Sequence, residues 1–256
     1  MSDEVVYSPR ELLACVASRL IQDGESVFVG TGLPLVGALL AQKTQAPQMM
    51  AIYEGGSIGA QPKVLPWSVA DPLTLYKAPV ILSMSSVFGH TRCGYADIGF
   101  LGGAQIDMYG NMNATCIGPY DKPIVRLTGS GGANDISSLC DRLIFMGLHL
   151  PERFPEKVDY ITSPGYLDGP GAREKAGLIG GGPWRAISHL GLMGFDDETK
   201  RMKLLSYHPG VTPEVIQQFT GFELLIDDNV AETPRPTEDE LYTLRNLVDP
   251  NQCFCF

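Results

Sequence analysis

The stretch MMAIYEGGSIG, residues 49–59, runs apolar through Tyr53 and then stops on a carboxylate, Glu54, followed by Gly55 and Gly56. A carboxylate beyond the carboxyl end of a strand in an open parallel sheet lies where such sheets bind ligands. There it can serve as a nucleophile or a general base, and the two glycines let a bulky group approach the backbone and permit positive φ. Read alone, Glu54 serves equally well as a loop cap or as the partner of an arginine. A second stretch, TGSGGAND over 128–135, sets glycines between a strand and the start of a helix. Exposed backbone N–H groups there suit a phosphate or the oxyanion of an acyl-transfer intermediate, and the same glycines also make tight turns. No Lys-Ser/Thr pair follows, which excludes a nucleotide P-loop.

Other patterns exclude more than they offer. The third glycine of GTGLPLVG, 30–37, is spaced wrongly for a dinucleotide fingerprint, and Pro34 marks a helix start instead. The four histidines, His90, His149, His189 and His208, show no H-x-x-x-H spacing and are read as structural or as substrate contacts, not as metal ligands. No G-x-S-x-G elbow is present, so a hydrolase triad has no visible parts. The six cysteines are scattered without C-x-x-C spacing and are expected as reduced thiols. Cys253 and Cys255 in the tail NQCFCF are too few ligands for zinc, and no metal site is expected.

The elements that must position these residues follow from periodicity and caps. Ser8, Pro9 and Glu11 open a helix over 8–22 whose apolar face is Leu12, Leu13, Val16, Leu20 and Ile21. ESVFVGTG reads as a buried strand, LPLVGALLAQKT as a helix and MMAIYE as the next strand. This β-α-β opening predicts an α/β fold: a single, open, mostly parallel, Rossmann-like sheet with helices on both faces, in one domain over 1–256. A hairpin is expected about Tyr109-Gly110-Asn111. PIVRLTGSGGANDISSLCDRLIFMGLH should give strand, glycine turn, short helix and strand. The glycine-rich region 165–182 is too long for mere connection. Two strands are expected around a polar turn at Asp196–Lys200, and Thr237 with Glu240 caps a last helix.

The bulk numbers narrow the partners. Net charge is −10, and no Lys/Arg run interleaved with aromatics occurs, which argues against nucleic acid and anionic membranes. No apolar run reaches the roughly 20 residues of a membrane span, and the opening MSDEVVYSPRELL has no charged-then-apolar leader, so a soluble cytoplasmic protein is expected. Charged residues make up only 19%, below the roughly 25% usual for soluble domains. That deficit points to a partner subunit.

Taken together, VGTGLPLVGA, the glutamate of YEGG, LGGAQIDMYGNMNAT, RLTGSGGAND and VDYITSPGYLDGPGAREKAGL resemble the class I CoA-transferases, specifically the β-subunit type of glutaconate CoA-transferase. The likeness runs in order from about residue 8 to about 250. It implies a nucleophilic glutamate at Glu54 that carries CoA as a thioester, with Gly131 and Gly132 donating backbone N–H groups to the oxyanion. It further implies Gly55, Gly56, Gly103, Gln105 and Asn134 as substrate-binding positions. Coenzyme A enters as acyl-CoA substrate, with no tightly bound cofactor. The partner implied is an α subunit in an α2β2 or larger assembly, and the acids exchanged include dicarboxylates.

One departure is visible: Gly55 stands where family members commonly carry a serine or asparagine, so the hydrogen bond it gave must come from Ser57, from the partner, or be absent. Met84, Phe88, Tyr109 and Cys116 are open to two roles, acyl pocket or core. The tail SYHPGVTPEVIQQFTGFELL is also similar to relatives that decarboxylate or hydrolyse CoA thioesters. A glutamate at 54 favours transfer, because those relatives tend to lack it. A non-catalytic structural subunit is the reading from outside enzymology.

Overall fold

The computed structural model describes residues 6–254, so Cys255 lies outside the described residues. The fold class is α/β, as the sequence predicts. The chain divides into two compact units, one through Phe100 and again from Pro234, the other Leu101–Thr233.

In the first unit, α1 (Pro9–Arg19) opens on the expected capping box: Ser8 Oγ accepts the Glu11 N–H at 3.2 Å, and the Ser8 N–H donates to Glu11 Oε2 at 2.7 Å. The helix closes at Leu20, before the expected end at 22. Then come β1 (Ser26–Phe28), α2 (Leu33–Lys43) and β2 (Met50–Ile52), with β1 and β2 parallel. α2 lies close on α1 because position 37 is glycine: a Cβ there would sit 2.7 Å from that of Ala17. β3 (Ser57–Ile58) and β4 (Val80–Ile81) add antiparallel strands beside β2. After α3 (Met84–Arg92), β5 (Ile98–Leu101) pairs parallel with β1, giving the order β5-β1-β2-β3-β4. Buried Val27, Phe28, Ile98 and Phe100 explain the continuous apolar runs of the inner strands. Val80 and Ile81 at the edge are exposed.

The second unit starts with two hairpins, β6 (Gln105–Ile106) with β7 (Met112–Asn113) and β8 (Cys116–Ile117) with β9 (Val125–Arg126). The first is the expected turn around Tyr109-Gly110-Asn111, and Asp107 Oδ1 ties it by accepting the N–H groups of Tyr109 and Asn111. Then follow α4 (Ala133–Leu139), β10 (Arg142–Gly147), α5 (Ala172–Lys175), β11 (Pro183–Ser188), β12 (Gly191–Phe195), β13 (Met202–Tyr207), α6 (Pro213–Gln218) and β14 (Leu225–Glu232), with strand order β14-β13-β12-β11-β10. β10 and β11 are parallel, as are β13 and β14, while β12 runs against both its neighbours.

Where the sequence predicts two strands about Asp196–Lys200, the structure has three. The extra break follows Ser188, whose Oγ accepts the N–H groups of Leu190 and Gly191. The polar interruption there is only Ser188-His189 ahead of Leu190-Gly191, too short beside the apolar residues on either side to separate two strands in the reading of the sequence.

Finally α7 (Glu238–Thr243) carries the second expected capping box. Leu244 and Val248 beyond it pack on Ala14, Cys15, Val36, Leu39 and Leu40, so the C-terminal segment completes the core of the first unit. Arg245 Nε meets the buried Glu11 at 2.6 Å, and Arg19 Nη2 meets Glu240 at 2.7 Å. Among the described residues, no helix is long and apolar enough to cross a membrane.

Candidate active site

Glu54 sits in a tight turn. The Gly56 N–H donates to the Tyr53 carbonyl at 2.9 Å and the Tyr53 N–H to the Ser57 carbonyl at 2.9 Å, so Glu54 and Gly55 are the central pair of a four-residue hairpin turn between β2 and β3. The strand, expected to run to Glu54, therefore ends at Ile52. Ala51, Ile52 and Tyr53 are buried beneath it, and burial pushes the Tyr53 phenol well above its ordinary range. Glu54 itself is half-buried. Among the described residues, no hydrogen bond or ion pair holds its carboxylate, so neither the loop-cap reading nor the arginine-partner reading describes it.

The two glycines beside it do different things. Gly55 is exposed, with the Val69 carbonyl oxygen 3.1 Å from where a Cβ would stand. Gly56 is buried at φ +121°, and a Cβ there would collide with the carbonyl oxygen of Leu82, which follows β4. The room expected for a ligand at Gly56 is thus taken by the chain itself, because the Leu82 N–H donates to the Gly56 carbonyl at 2.9 Å. Ser57, offered as a replacement for the polar residue missing at 55, is buried, and its Oγ has no hydrogen-bond partner among the described residues.

The remaining expected positions lie in the second unit. Gly131 takes φ +49°, Gly132 caps α4 without a side chain, and no acceptor among the described residues meets either N–H. Asn134 is exposed and donates from Nδ2 to the Thr162 carbonyl at 3.1 Å. Gln105 is committed to the fold. Its Oε1 accepts from Asn113 Nδ2 at 2.7 Å and from the Asp159 N–H at 3.1 Å, while its Nε2 donates to Asp159 Oδ2 at 3.1 Å. That network spends the amide, so Gln105 supports the β6–β7 hairpin instead of facing a ligand. Gly103 lines a cleft of about 680 Å³ with Gly102, Ala104, Ala114, Leu127 and Thr128, and with two arginines, Arg126 and Arg153. The volume lies within the range of small-molecule sites.

Of the residues open to two roles, Phe88 stacks on Phe28 with centroids 5.4 Å apart and Cys116 is fully buried, which is core packing. Met84 is exposed, and Tyr109 lies against Gly169. Sequence reasoning missed three features, each made by residues far apart in the chain. One is the pair of cleft arginines. Another is Arg173, buried and spread over four carbonyls, whose only signal was a charge inside a glycine-rich stretch. The third is a histidine cluster: the His149 ring bonds Ser188 Oγ at 3.1 Å and Thr220 Oγ1 at 2.9 Å, and the His149 backbone N–H donates to His189 Nδ1 at 3.1 Å. Burial holds His149 down to about 3 and His208 to about 4, so both are neutral.

Comparison with known proteins follows the same lines. Residues 10–218 match the family model for Coenzyme A transferase. Over 261 aligned residues the chain is 41% identical to one of the subunits of glutaconate CoA-transferase of Acidaminococcus fermentans, with 99% of this chain and 97% of that protein covered. It is 39% identical to the like-named subunit of 3-oxoadipate CoA-transferase of Pseudomonas knackmussii, covering 94% and 93%. The crystal structure of glutaconate coenzyme A-transferase from Acidaminococcus fermentans superposes with a TM-score of 0.93 at 39% identity and 99% coverage of each chain.

Proposed function

The chain belongs to the coenzyme A transferase family, and from that premise we propose that it is the nucleophile-bearing subunit of a two-subunit enzyme, moving CoA between carboxylic acids through a thioester on Glu54. The observation that carries the proposal is a carboxylate, unpaired among the described residues, on a tight turn above a buried apolar floor. In this reading a Glu54 oxygen attacks the thioester carbonyl of an acyl-CoA, expelling CoA thiolate and leaving a mixed anhydride. The thiolate attacks the glutamyl carbonyl, releases the first acid as carboxylate and forms the glutamyl-CoA thioester. An incoming carboxylate displaces the thiolate again, and thiolate attack on the new acyl group regenerates free Glu54.

The residue type follows from the chemistry. A serine or cysteine would retain the acyl group and release CoA, whereas a carboxylate retains the thioester's free energy by carrying CoA itself. Each intermediate is open to hydrolysis, so water must be kept away. Buried Ala51, Ile52 and Tyr53 supply a dry floor on this chain's side. The N–H groups of Gly131 and Gly132 are the proposed oxyanion donors, and removing one such donor typically costs about 10²–10³ in rate. Gly55 and Asn134, both exposed, remain candidate substrate contacts.

The partner is an α subunit in an α2β2 or larger assembly, a reading supported by two relatives that are each named as one subunit of their enzyme and by the low charged fraction of 19%. Both relatives are named for dicarboxylic acids, which supports a dicarboxylate among the substrates. The test is turnover by the co-purified two-subunit complex on pairs of acyl-CoA and free acid, read by mass spectrometry. CoA should appear on the second acid only when that acid is present. Release of CO₂, or of free CoA without an acceptor, would replace transfer with decarboxylation or hydrolysis.

A further inference from the structure

A chain of net charge −10 repels polyanions at long range, so any anionic part of a substrate needs local cations. The cleft of the second unit holds two, Arg126 and Arg153, and among the described residues no carboxylate side chain lines it. Arg153 is fixed at its root: its N–H donates to the Leu150 carbonyl at 2.8 Å and its carbonyl accepts the Ile106 N–H at 2.8 Å. Its guanidinium, by contrast, makes no hydrogen bond or ion pair among the described residues, which leaves its donors unspent at the cleft.

Arg126 is held on the other side. Its Nη2 donates to the Tyr120 carbonyl at 2.9 Å, and its guanidinium lies 4.9 Å from the Tyr120 ring centroid. Tyr120 stacks in turn on Tyr160 at 5.2 Å. That buttress orients the fork and leaves donors free. Gly102 and Gly103 offer bare backbone and Thr128 adds a hydroxyl. Planar guanidinium forks around such a cleft match the oxygens of a phosphate or a carboxylate.

We propose that Arg126 and Arg153 form a subsite for an anionic oxygen group of the substrate, either a phosphate of coenzyme A or the remote carboxylate of a dicarboxylic acyl group. The proposal rests on the reading of this chain as a CoA-transferase subunit. The subsite supplies binding, so its loss raises KM with little change in kcat.

The test compares the two-subunit complex with its Arg126→Gln, Arg153→Gln, Arg126→Lys and Arg153→Lys variants. Donors are an acyl-CoA and the phosphate-free pantetheine thioester of the same acyl group; acceptors are a dicarboxylic and a monocarboxylic acid. With the glutamine variants KM should rise by about 10-fold or more, the worth of one charge-assisted hydrogen bond, and less with lysine. A rise confined to acyl-CoA assigns a phosphate, and one confined to dicarboxylic substrates assigns the carboxylate. Unchanged KM values, or an equal rise for the pantetheine thioester with the monocarboxylic acid, overturn the subsite. Calorimetric titration of free CoA and of the dicarboxylate into the same complexes separates the two readings. If the parent complex transfers no CoA, the transferase reading falls, while equal binding by parent and variants removes the subsite whatever the activity. Should a glutamine variant misfold, Arg126→Met or Arg153→Met at that position takes its place under the same criteria.

Discussion

Glu54 lies in the turn and Ser57 opens the strand that leaves it, and both carry polar atoms without a partner among the described residues. A buried hydroxyl with no acceptor is a cost to folding, and its removal should be neutral or mildly stabilising. Ser57→Ala is therefore expected to leave the urea midpoint of the subunit unchanged or raised, while lowering kcat of the assembled complex by about 10-fold if the hydroxyl orients Glu54 during the reaction. A marked loss of stability with unaltered kcat would make Ser57 structural. Gly56 makes the opposite prediction. Its φ of +121° and the Leu82 carbonyl beside it exclude a side chain, so Gly56→Ala should cost at least about 2 kcal/mol in denaturant unfolding. A stability equal to that of the parent would contradict the packing described. The sequence marked Glu54 by a charge ending an apolar run, but a loop cap or an arginine partner explained that equally well, so its proposed role came from the motif resemblance. The positive φ at Gly56 was legible from the glycine itself, whereas the collision with Leu82 was not, since it comes from a residue 26 positions away in the chain.

At the scale of elements, Arg173 organises the glycine-rich stretch. Its Nε donates to the Gly180 carbonyl at 2.7 Å, its Nη1 to Pro164 and Gly165 at 3.1 Å each, and its Nη2 to Ser137 of α4 at 2.7 Å. Replacing it with methionine strands buried carbonyls that accept from a charged donor, and should cost about 3 kcal/mol or more. Arg173→Lys should not restore the loss, because an ammonium cannot reach the same fan of acceptors. Thermal unfolding of the three proteins checks both points, and a methionine variant as stable as the parent would refute the clamp. The capping boxes at Ser8 and Thr237 were readable because each is a local contract between residues three apart. The clamp was not, since it joins 137, 164, 165, 173 and 180 through tertiary structure. The break between β11 and β12 escaped because its polar signal is only Ser188-His189, with the Ser188 hydroxyl closing the turn.

For the whole molecule, neutral buried histidines set an acid limit. His149 and His208 titrate near 6.5 when unfolded but are held to about 3 and about 4 by burial in the fold. Below about pH 6.5 the unfolded chain takes up protons that the folded chain refuses, so stability is full above that pH and falls as pH drops toward 4. The urea midpoint should decrease between pH 7 and pH 5, and a His149→Asn, His208→Asn double variant should show a flatter profile. Equal pH dependence in both would exclude these histidines as the cause. Composition made the acidity legible and the β-α-β order of the first elements the α/β class, whereas the site depended on motif resemblance, because glycines and one glutamate have many structural uses. The most direct measurement is intact-peptide mass spectrometry on the assembled complex after mixing with acyl-CoA and trapping before an acceptor acid is added. A CoA-bearing adduct is expected on the peptide containing Glu54, absent in Glu54→Ala. Full turnover by Glu54→Ala, or an adduct on any other residue, would contradict a glutamyl-CoA thioester at this position.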